Sequence, residues 1–228
     1  PFRLGQTCTL ARRHYRIAGH LRVVESSFGT RYVSDEFLLV DRDSRQHKWL
    51  IQYHGHYTLS ERIDPPRHVP RPQQWLPGRT FTALDRKWQV GEEAATASIE
   101  WVAGELPWLA RVGDQVSYVE AAAPPDLLEV EFSEHAEEWS RGRYLPRREV
   151  AAAFEIREDQ LPRQRGAVWH QPYHEPLLLG ALWRGAFLSA AAMLVLIAWS
   201  LFQGREVAEF TVAPADVDDT AGYVSEAF

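Results

Sequence analysis

The fold class of this 228-residue chain is best inferred from one short stretch, Trp49-Leu-Ile-Gln-Tyr-His-Gly-His-Tyr-Thr-Leu59. Aromatic and branched side chains, which favour strands, flank a central glycine on both sides. Gly55 lies where a turn or a bulge would connect two short strands. The stretch therefore predicts a β-hairpin.

Similar strand-like patterns extend over the region before residue 160, and turn-forming residues separate them. One stretch, 146–154, instead begins like a helix, with Pro146 at its start and good helix formers after it. We therefore expect a mainly β domain with one short α-helix. The further strand-like stretches are 8–17, 36–40, 79–84, 97–101, 115–119 and 127–132.

The β region also resembles itself internally. The pattern Gly-x-Thr-x-Thr-x-x-x-Arg-x-aromatic-x-aliphatic occupies residues 5–17 and returns at 78–90, and Trp-Leu with a later glutamate recurs as well. We predict two related β modules, residues 1–76 and 77–156, which together form one domain. Chance similarity between two strand-rich stretches is the alternative.

An apolar run of 18 residues without a charge follows, at 185–202. As a helix it would be about 27 Å long, close to the thickness of a membrane core. Trp183, Arg184 and Trp199 are suited to anchor such a helix at the two interfaces. A buried core helix is the alternative. The expected order is a linker at 157–176, a transmembrane helix at 177–203 and the start of a truncated extracytoplasmic segment at 204–228.

Charge indicates an orientation for this helix. Basic residues are more frequent before the apolar run than after it, so we expect the N-terminal domain in the cytoplasm and the C-terminal segment outside. Cys8 is the single cysteine, which excludes an internal disulfide and agrees with a reducing compartment. The net charge of −6 lacks the basic excess of a nucleic-acid-binding protein, so we expect no nucleic acid as partner.

Recognised catalytic patterns are absent from the sequence. There is no Gly-x-Ser-x-Gly elbow and no glycine-rich phosphate loop, so we predict no catalytic residue and no cofactor. His54 and His56 would share one strand face and reach a metal with His47 or Glu61, but we interpret this face as an exposed polar surface and predict no metal.

Two glutamates, Glu129 and Glu131, alternate with Val130 and Phe132 along one predicted strand. Side chains two positions apart lie on the same face of a strand, so these carboxylates lie together. Paired acids are suited to acid–base chemistry when burial separates their pKa values. We interpret them instead as a solvated face.

Two surfaces are candidates for binding. We expect most tryptophans to pack in the core, and the alternative is an aromatic-lined groove that accepts a partner or a ligand. A dense basic patch near the predicted helix would face anionic lipid, or else be a solvated surface. The groove candidates are Trp49, Glu105, Trp108 and Trp139, and the patch consists of Arg141, Arg143, Arg147 and Arg148.

A set of short motifs is spread over residues 2–156: Leu4-Gly5, Glu36-Phe37-Leu38-Leu39, Trp49-Leu50, Gly104-Glu105-Leu106-Pro107-Trp108, Gly113-Asp114, Tyr118, Glu138-Trp139-Ser140-x-Gly142-x-Tyr144-Leu145 and Val150-x-x-Ala153-Phe154. Together they resemble the bacterial domain-of-unknown-function 4178 family. The resemblance implies a membrane-anchored protein of a bacterial envelope, with a zinc ribbon or a further copy upstream in relatives. It implies no catalytic residues.

The expected function is that of a non-enzymatic, membrane-anchored scaffold or sensor at a bacterial inner membrane. Its cytoplasmic β domain would recruit a protein partner, in envelope maintenance or stress, with membrane lipid as a second partner. The alternative is a small-molecule or lipid-binding module that signals across one membrane helix.

Overall fold

The computed structural model describes residues 1–27, 30–132 and 137–172. Within these ranges the chain forms eleven strands, one α-helix and two short 3-10 turns, at Pro72–Gln74 and Glu158–Gln160. The strands are β1 (Thr7–Leu10), β2 (Arg13–Ser27), β3 (Thr30–Asp41), β4 (His47–Tyr53), β5 (His56–Ile63), β6 (Thr80–Ala83), β7 (Arg86–Val90), β8 (Ala95–Gly104), β9 (Gln115–Ala123), β10 (Asp126–Phe132) and β11 (Glu137–Leu145), and the helix is α1 (Arg147–Ala153).

Eight of these strands close into a ring through antiparallel pairs. The order is β2–β3–β4–β5–β11–β10–β9–β8, and β8 pairs back to β2. Because β2 is 15 residues long, its first part pairs with β1 and its second part pairs with β8. A closed sheet of this size leaves room inside for side chains or one small ligand.

The apolar side chains of the ring strands lie mainly on its outer face, in two clusters. The first apolar cluster contains Tyr15, Leu39, Leu50 and Tyr57, and helix α1 covers it with Val150. The second contains Trp75, Trp88, Val119, Leu128, Val130 and Trp139. Each cluster removes large apolar surfaces from water, which is the main force that stabilises such a fold.

The two stretches that resemble each other in sequence form hairpins of the same geometry. In β1–β2 the turn residues Ala11 and Arg12 both have positive φ, and in β6–β7 Leu84 and Asp85 do, as a type I′ turn requires. Cys8 pairs with Tyr15, and Phe81 pairs with Trp88. Tyr15 and Trp88 are each buried, one in each apolar cluster.

Several predicted elements are confirmed. Strands β4 and β5 form the hairpin predicted at 49–59, with Gly55 in its turn at a φ of +80°. Helix α1 lies inside the predicted stretch 146–154. The division into modules 1–76 and 77–156 stays a prediction, and strands from both ranges join one sheet.

The predicted fold class, a β domain plus a transmembrane helix, needs a correction. Among the described residues no helix is long and apolar enough to cross a membrane. Helix α1 has 7 residues, about 10 Å of rise, whereas a membrane core requires about 30 Å. The predicted span 177–203 and its anchors Trp183, Arg184 and Trp199 lie outside the described residues. The membrane localisation of the chain stays a prediction.

Candidate functional site

A cavity of about 840 Å³ lies inside the ring of strands. Along most ring strands alternate residues line it, as in β10, where Leu127, Glu129 and Glu131 face the cavity. The residues between them, Leu128 and Val130, belong to the second apolar cluster on the outer face. Strand alternation thus places the two glutamates of β10 in the cavity and the fully buried Leu128 and Val130 on the outer face.

Five of the cavity glutamates form a continuous series, which we call the acidic row. Glu120 interacts with Glu25 and Glu129, and Glu129 interacts in turn with Glu36 and Glu131. The row therefore joins four strands of the ring, β2, β3, β9 and β10. Along β10 alone, Glu129 and Glu131 are about 6.6 Å apart, the rise of two strand residues.

Burial raises the pKa values of four carboxyl groups of the row, those of Glu36, Glu120, Glu129 and Glu131. Removal from water is the largest cause at Glu36 and at Glu120, and it raises each pKa to about 7. The charge of Glu131 raises the pKa of Glu36 further, and Glu25 does the same at Glu120. Near neutral pH each of these two groups is thus poised between its neutral and its charged form.

Glu120 and Glu129 lie directly opposite each other on β9 and β10 and are hydrogen-bonded through their side chains. Like charges at opposed positions destabilise a sheet, so the pair is best accommodated when it holds one proton. Burial, followed by the charge of Glu120, raises the pKa of Glu129 well above its ordinary value. The proton therefore resides mainly on Glu129, which leaves Glu120 as the acceptor.

Hydroxyl groups complete the polar wall. The Tyr118 hydroxyl donates to Glu25 Oε2 at 2.6 Å, Ser34 Oγ donates to Glu36 Oε1 at 3.2 Å, and Ser140 Oγ donates to Glu129 Oε1 at 3.4 Å. Burial and the neighbouring glutamates raise the pKa of Tyr118, so it stays a donor. These contacts fix the directions in which the carboxyl groups point.

Two aromatic side chains lie beside each other in the cavity lining. The rings of Trp49 and Trp108 have centroids 5.7 Å apart and an interplanar angle of 50°. Trp49 belongs to β4, whereas Trp108 belongs to the loop 105–114 that connects β8 to β9. About half of the Trp108 surface is exposed, so this pair separates part of the cavity from solvent.

A segment that we call the strap, residues 162–171, borders the cavity where strand β5 begins. Arg165 N donates to His54 O at 2.9 Å, and Gln164 Nε2 donates to the Tyr144 hydroxyl at 2.9 Å. Close packing here requires Gly55, because an added Cβ would lie 2.5 Å from Arg163 O. The strap was predicted as part of a linker, yet these contacts attach it to the ring.

His170 connects the strap to the interior of the ring. A hydrogen bond of 2.6 Å joins His170 Nε2 to Thr58 Oγ1. Burial lowers the pKa of His170 to about 4, so its ring is neutral at physiological pH. The strap therefore adds no fixed positive charge to the cavity at His170.

The four candidate residues of the predicted groove are distributed over different parts of the domain. Trp49 and Trp108 come together in the cavity lining. Glu105 is exposed and forms an ion pair with Arg16, at 3.2 Å between Nη2 and Oε2. Trp139 is buried in the second apolar cluster, on the face of β11 that points away from the cavity.

The predicted basic patch is divided by intramolecular contacts. Arg141 pairs with the buried Asp126 at 2.7 Å, and the Arg147 guanidinium donates to the carbonyls of Glu158 and Leu161. Arg143 and Arg148 remain exposed. Contact of these two side chains with lipid stays a prediction.

The predicted placement of the two histidines is wrong. His54 lies in the β4–β5 turn with a φ of +48°, and not beside His56 on one strand face. His56 lines the cavity, where its Nδ1 lies 3.1 Å from the Tyr144 hydroxyl. Within the described ranges no group of three His, Cys, Asp or Glu side chains is arranged to hold a metal ion.

The interpretation of Glu129 and Glu131 as a solvated face needs a correction at Glu129, which is half-buried, whereas Glu131 is exposed. Their shared face is confirmed, but it borders the cavity. Glu25, Glu36 and Glu120 were missed as site residues altogether. In the sequence these residues are glutamates at alternating positions of otherwise apolar or aromatic strands. This pattern identifies site residues only when it is known which face of each strand points inward.

Comparison with known proteins identifies one family. No curated protein and no solved structure matches the chain. The family model of a domain of unknown function, DUF4178, matches residues 3–147, a range that contains every strand of the ring and ends before the strap. The chain therefore belongs to the DUF4178 family, and the strands that line the cavity are in the part of the chain that the family shares.

Proposed function

We propose that this domain is a binding module that takes up a small molecule in the cavity of its ring, without catalysis. The observation that carries the proposal is the cavity itself, about 840 Å³ in volume and lined by aromatic, apolar and converging polar side chains. Pockets of this size and composition are typical of small-molecule sites. Of the two hypotheses drawn from the sequence, this favours the ligand-binding alternative over the scaffold.

The polar interior supports the proposal for an energetic reason. Buried carboxyl groups with raised pKa values destabilise a fold when they ionise, and apolar residues would fill the same space at less cost. Glu36 and Glu120 both occupy such positions. Retention of polar groups around an open space is understandable if a ligand interacts with them.

A cavity-filling variant tests the proposal. Ala97 is buried on the cavity face of β8, so Ala97→Phe adds a ring to the cavity, whereas Thr96→Phe changes the adjacent position, which does not line it. The probe is prodan, a neutral fluorescent dye smaller than the cavity. We expect prodan fluorescence to rise with the unmodified protein and with Thr96→Phe, and the dye's affinity to fall at least about tenfold with Ala97→Phe.

Two outcomes would contradict the proposal. The first is an unmodified protein that neither binds prodan nor shifts its melting temperature with any member of a panel of neutral, cationic and anionic small molecules. The second is equal prodan binding by Ala97→Phe and Thr96→Phe, with circular dichroism showing that both variants are folded. The first result would show that the cavity takes up none of these small molecules, and the second would show that prodan binds outside the cavity.

A protein partner is the second candidate function, and the loop 105–114 favours it. Leu109 is 77% exposed and Val112 is 64% exposed beside the half-exposed Trp108. Exposed apolar side chains that adjoin one another are common at interaction surfaces. The test is affinity capture with the unmodified full chain and with a double variant, Leu109→Ser and Val112→Ser. We expect the unmodified chain to retain a protein partner and the double variant to lose it.

A further inference from the structure

Acidic groups dominate the charge of the cavity lining. Nine Asp or Glu side chains line it, whereas Arg62 is the single Lys or Arg among the described lining residues. Arg62 lies close to Glu138, at 3.7 Å between Nη1 and Oε2, and two thirds of its side chain is exposed. The lining thus has a large excess of negative charge that its one arginine, paired with Glu138, does not balance.

The acidic row in particular has no basic partner in the described part of the chain. None of the ion pairs formed there involves Glu25, Glu36 or any of the other three members. The charged groups that act on Glu36 and Glu129 are all acidic. Elsewhere in the fold a buried carboxylate does have partners, since Arg86 and Arg141 both contact Asp126. Among the described residues, the acidic row therefore lacks the positively charged partners that Asp126 has.

An unpaired carboxylate in such a site has two ways to lower its free energy. It takes up a proton, or it pairs with a cation that enters the cavity. The row extends across four strands, so a single point charge would neutralise one part of it and leave the rest. A ligand with charges at several positions would match the whole row.

We propose that the ligand of this cavity is an elongated organic cation, in which a methylene chain joins two or more protonated amines. This inference rests on the proposed function, because it names the chemical class that the cavity binds. Protonated amines donate charge-assisted hydrogen bonds to carboxylates, and these are stronger than bonds between neutral groups.

The remaining lining fits the other parts of such a molecule. Leu21, Val23 and Ile51 supply apolar surface for methylene groups. The paired rings of Trp49 and Trp108 supply aromatic faces, which attract ammonium groups. The same cavity thus contains partners for both the charged and the apolar parts of the ligand.

The test compares three linear molecules of one length by isothermal titration calorimetry with the full chain. They are 1,8-diaminooctane, 1,8-octanediol and suberate, at pH 8 and low salt, where the amines are protonated and Glu36 and Glu120 are mainly ionised. We expect the diamine to bind at least about tenfold more tightly than the diol, and suberate to show no binding.

A matched pair of variants assigns the effect to the row. Glu36→Gln removes a carboxyl group of the row whose pKa of about 7 leaves it mainly ionised at pH 8, whereas Glu61→Gln removes a carboxyl group of β5 that does not line the cavity. We expect Glu36→Gln to weaken diamine binding about tenfold or more. Glu61→Gln should leave the diamine affinity unchanged.

The outcomes separate the two proposals. If the diol binds as tightly as the diamine, or if both Gln variants weaken diamine binding equally, the cationic ligand class is wrong. If prodan then still binds the unmodified protein but not Ala97→Phe, the proposed small-molecule function stands. If neither the diamine nor prodan binds, both the ligand class and the proposed function fail.

Discussion

The two faces of the ring strands differ more from each other than the two halves of the chain do. On β10, Leu128 and Val130 are fully buried in an apolar cluster, while Glu129 on the opposite face belongs to a polar cavity. The outer face stabilises the fold by burial of apolar surface. The inner face contributes charges at a cost in stability. Stability and binding are therefore assigned to alternate residues of the same strands.

The largest expected effect is in the second apolar cluster, which covers the outer face, at Trp88 of β7. This side chain is fully buried, and its indole N–H donates to Ala83 O at 2.8 Å. Trp88→Ala should lower the free energy of unfolding by about 3–5 kcal/mol, through the cavity that it leaves. Urea denaturation measures the change, with Trp88→Phe as a milder variant if the alanine variant does not fold. A loss of less than about 1 kcal/mol would contradict the importance of this cluster.

An intermediate effect of opposite sign is expected on the inner face, at Glu36. Its pKa rises from 4.5 to about 7 on folding, so ionisation costs stability increasingly as the pH rises from about 4.5 to about 7, and the cost is then constant. Glu36→Gln should therefore raise the free energy of unfolding by roughly 1–3 kcal/mol at pH 8. At pH 4 the two proteins should be equally stable.

Denaturation at both pH values checks this expectation. His170 titrates in the same range, because its lowered pKa makes the folded state lose stability as the pH falls from 6.5 towards 4. Because His170 contributes equally in both proteins, its contribution cancels in the difference between their free energies of unfolding. A gain from Glu36→Gln that is the same at pH 4 and pH 8 would show that the carboxyl group is not buried in a charged form.

The smallest effect is expected at Glu61, on the opposite face of β5. Its carboxylate pairs with Lys48, and about half of its side chain is exposed. Exposed ion pairs contribute little, so Glu61→Gln should change the free energy of unfolding by less than about 1 kcal/mol. A large stabilisation of the protein by Glu61→Gln at pH 8 would contradict the difference that we draw between the inner and outer faces of the ring strands.

Local patterns predicted part of the secondary structure, whereas strands β7 and β11 were not predicted. Alternation and turn residues located the β4–β5 hairpin, and Pro146 located helix α1. These features depend on neighbouring residues and are therefore readable from short stretches. The closure of the sheet into a ring could not be predicted from such short stretches, because the β2–β8 pair that closes it joins residues far apart in sequence, such as Gly19 and Gly104.

The site was predicted only in fragments. The shared face of Glu129 and Glu131 followed from the period of a strand, and Trp49 and Trp108 were both singled out, but nothing joined these pairs. A polar residue on a strand face has the same pattern whether that face borders bulk water or an enclosed cavity. The sequence therefore favoured solvent, which is the commoner environment for glutamate.

The amino-acid sequence alone specified which residues alternate, where the chain turns, and that each ring strand has one apolar and one more polar face. Tertiary structure decided which face became the interior. Pairing of β2 with β8 and of β5 with β11 closes the sheet around the glutamates. Closure is a long-range event that turns an exposed polar face into an enclosed one, and only then do burial and mutual repulsion raise the pKa values of these carboxyl groups.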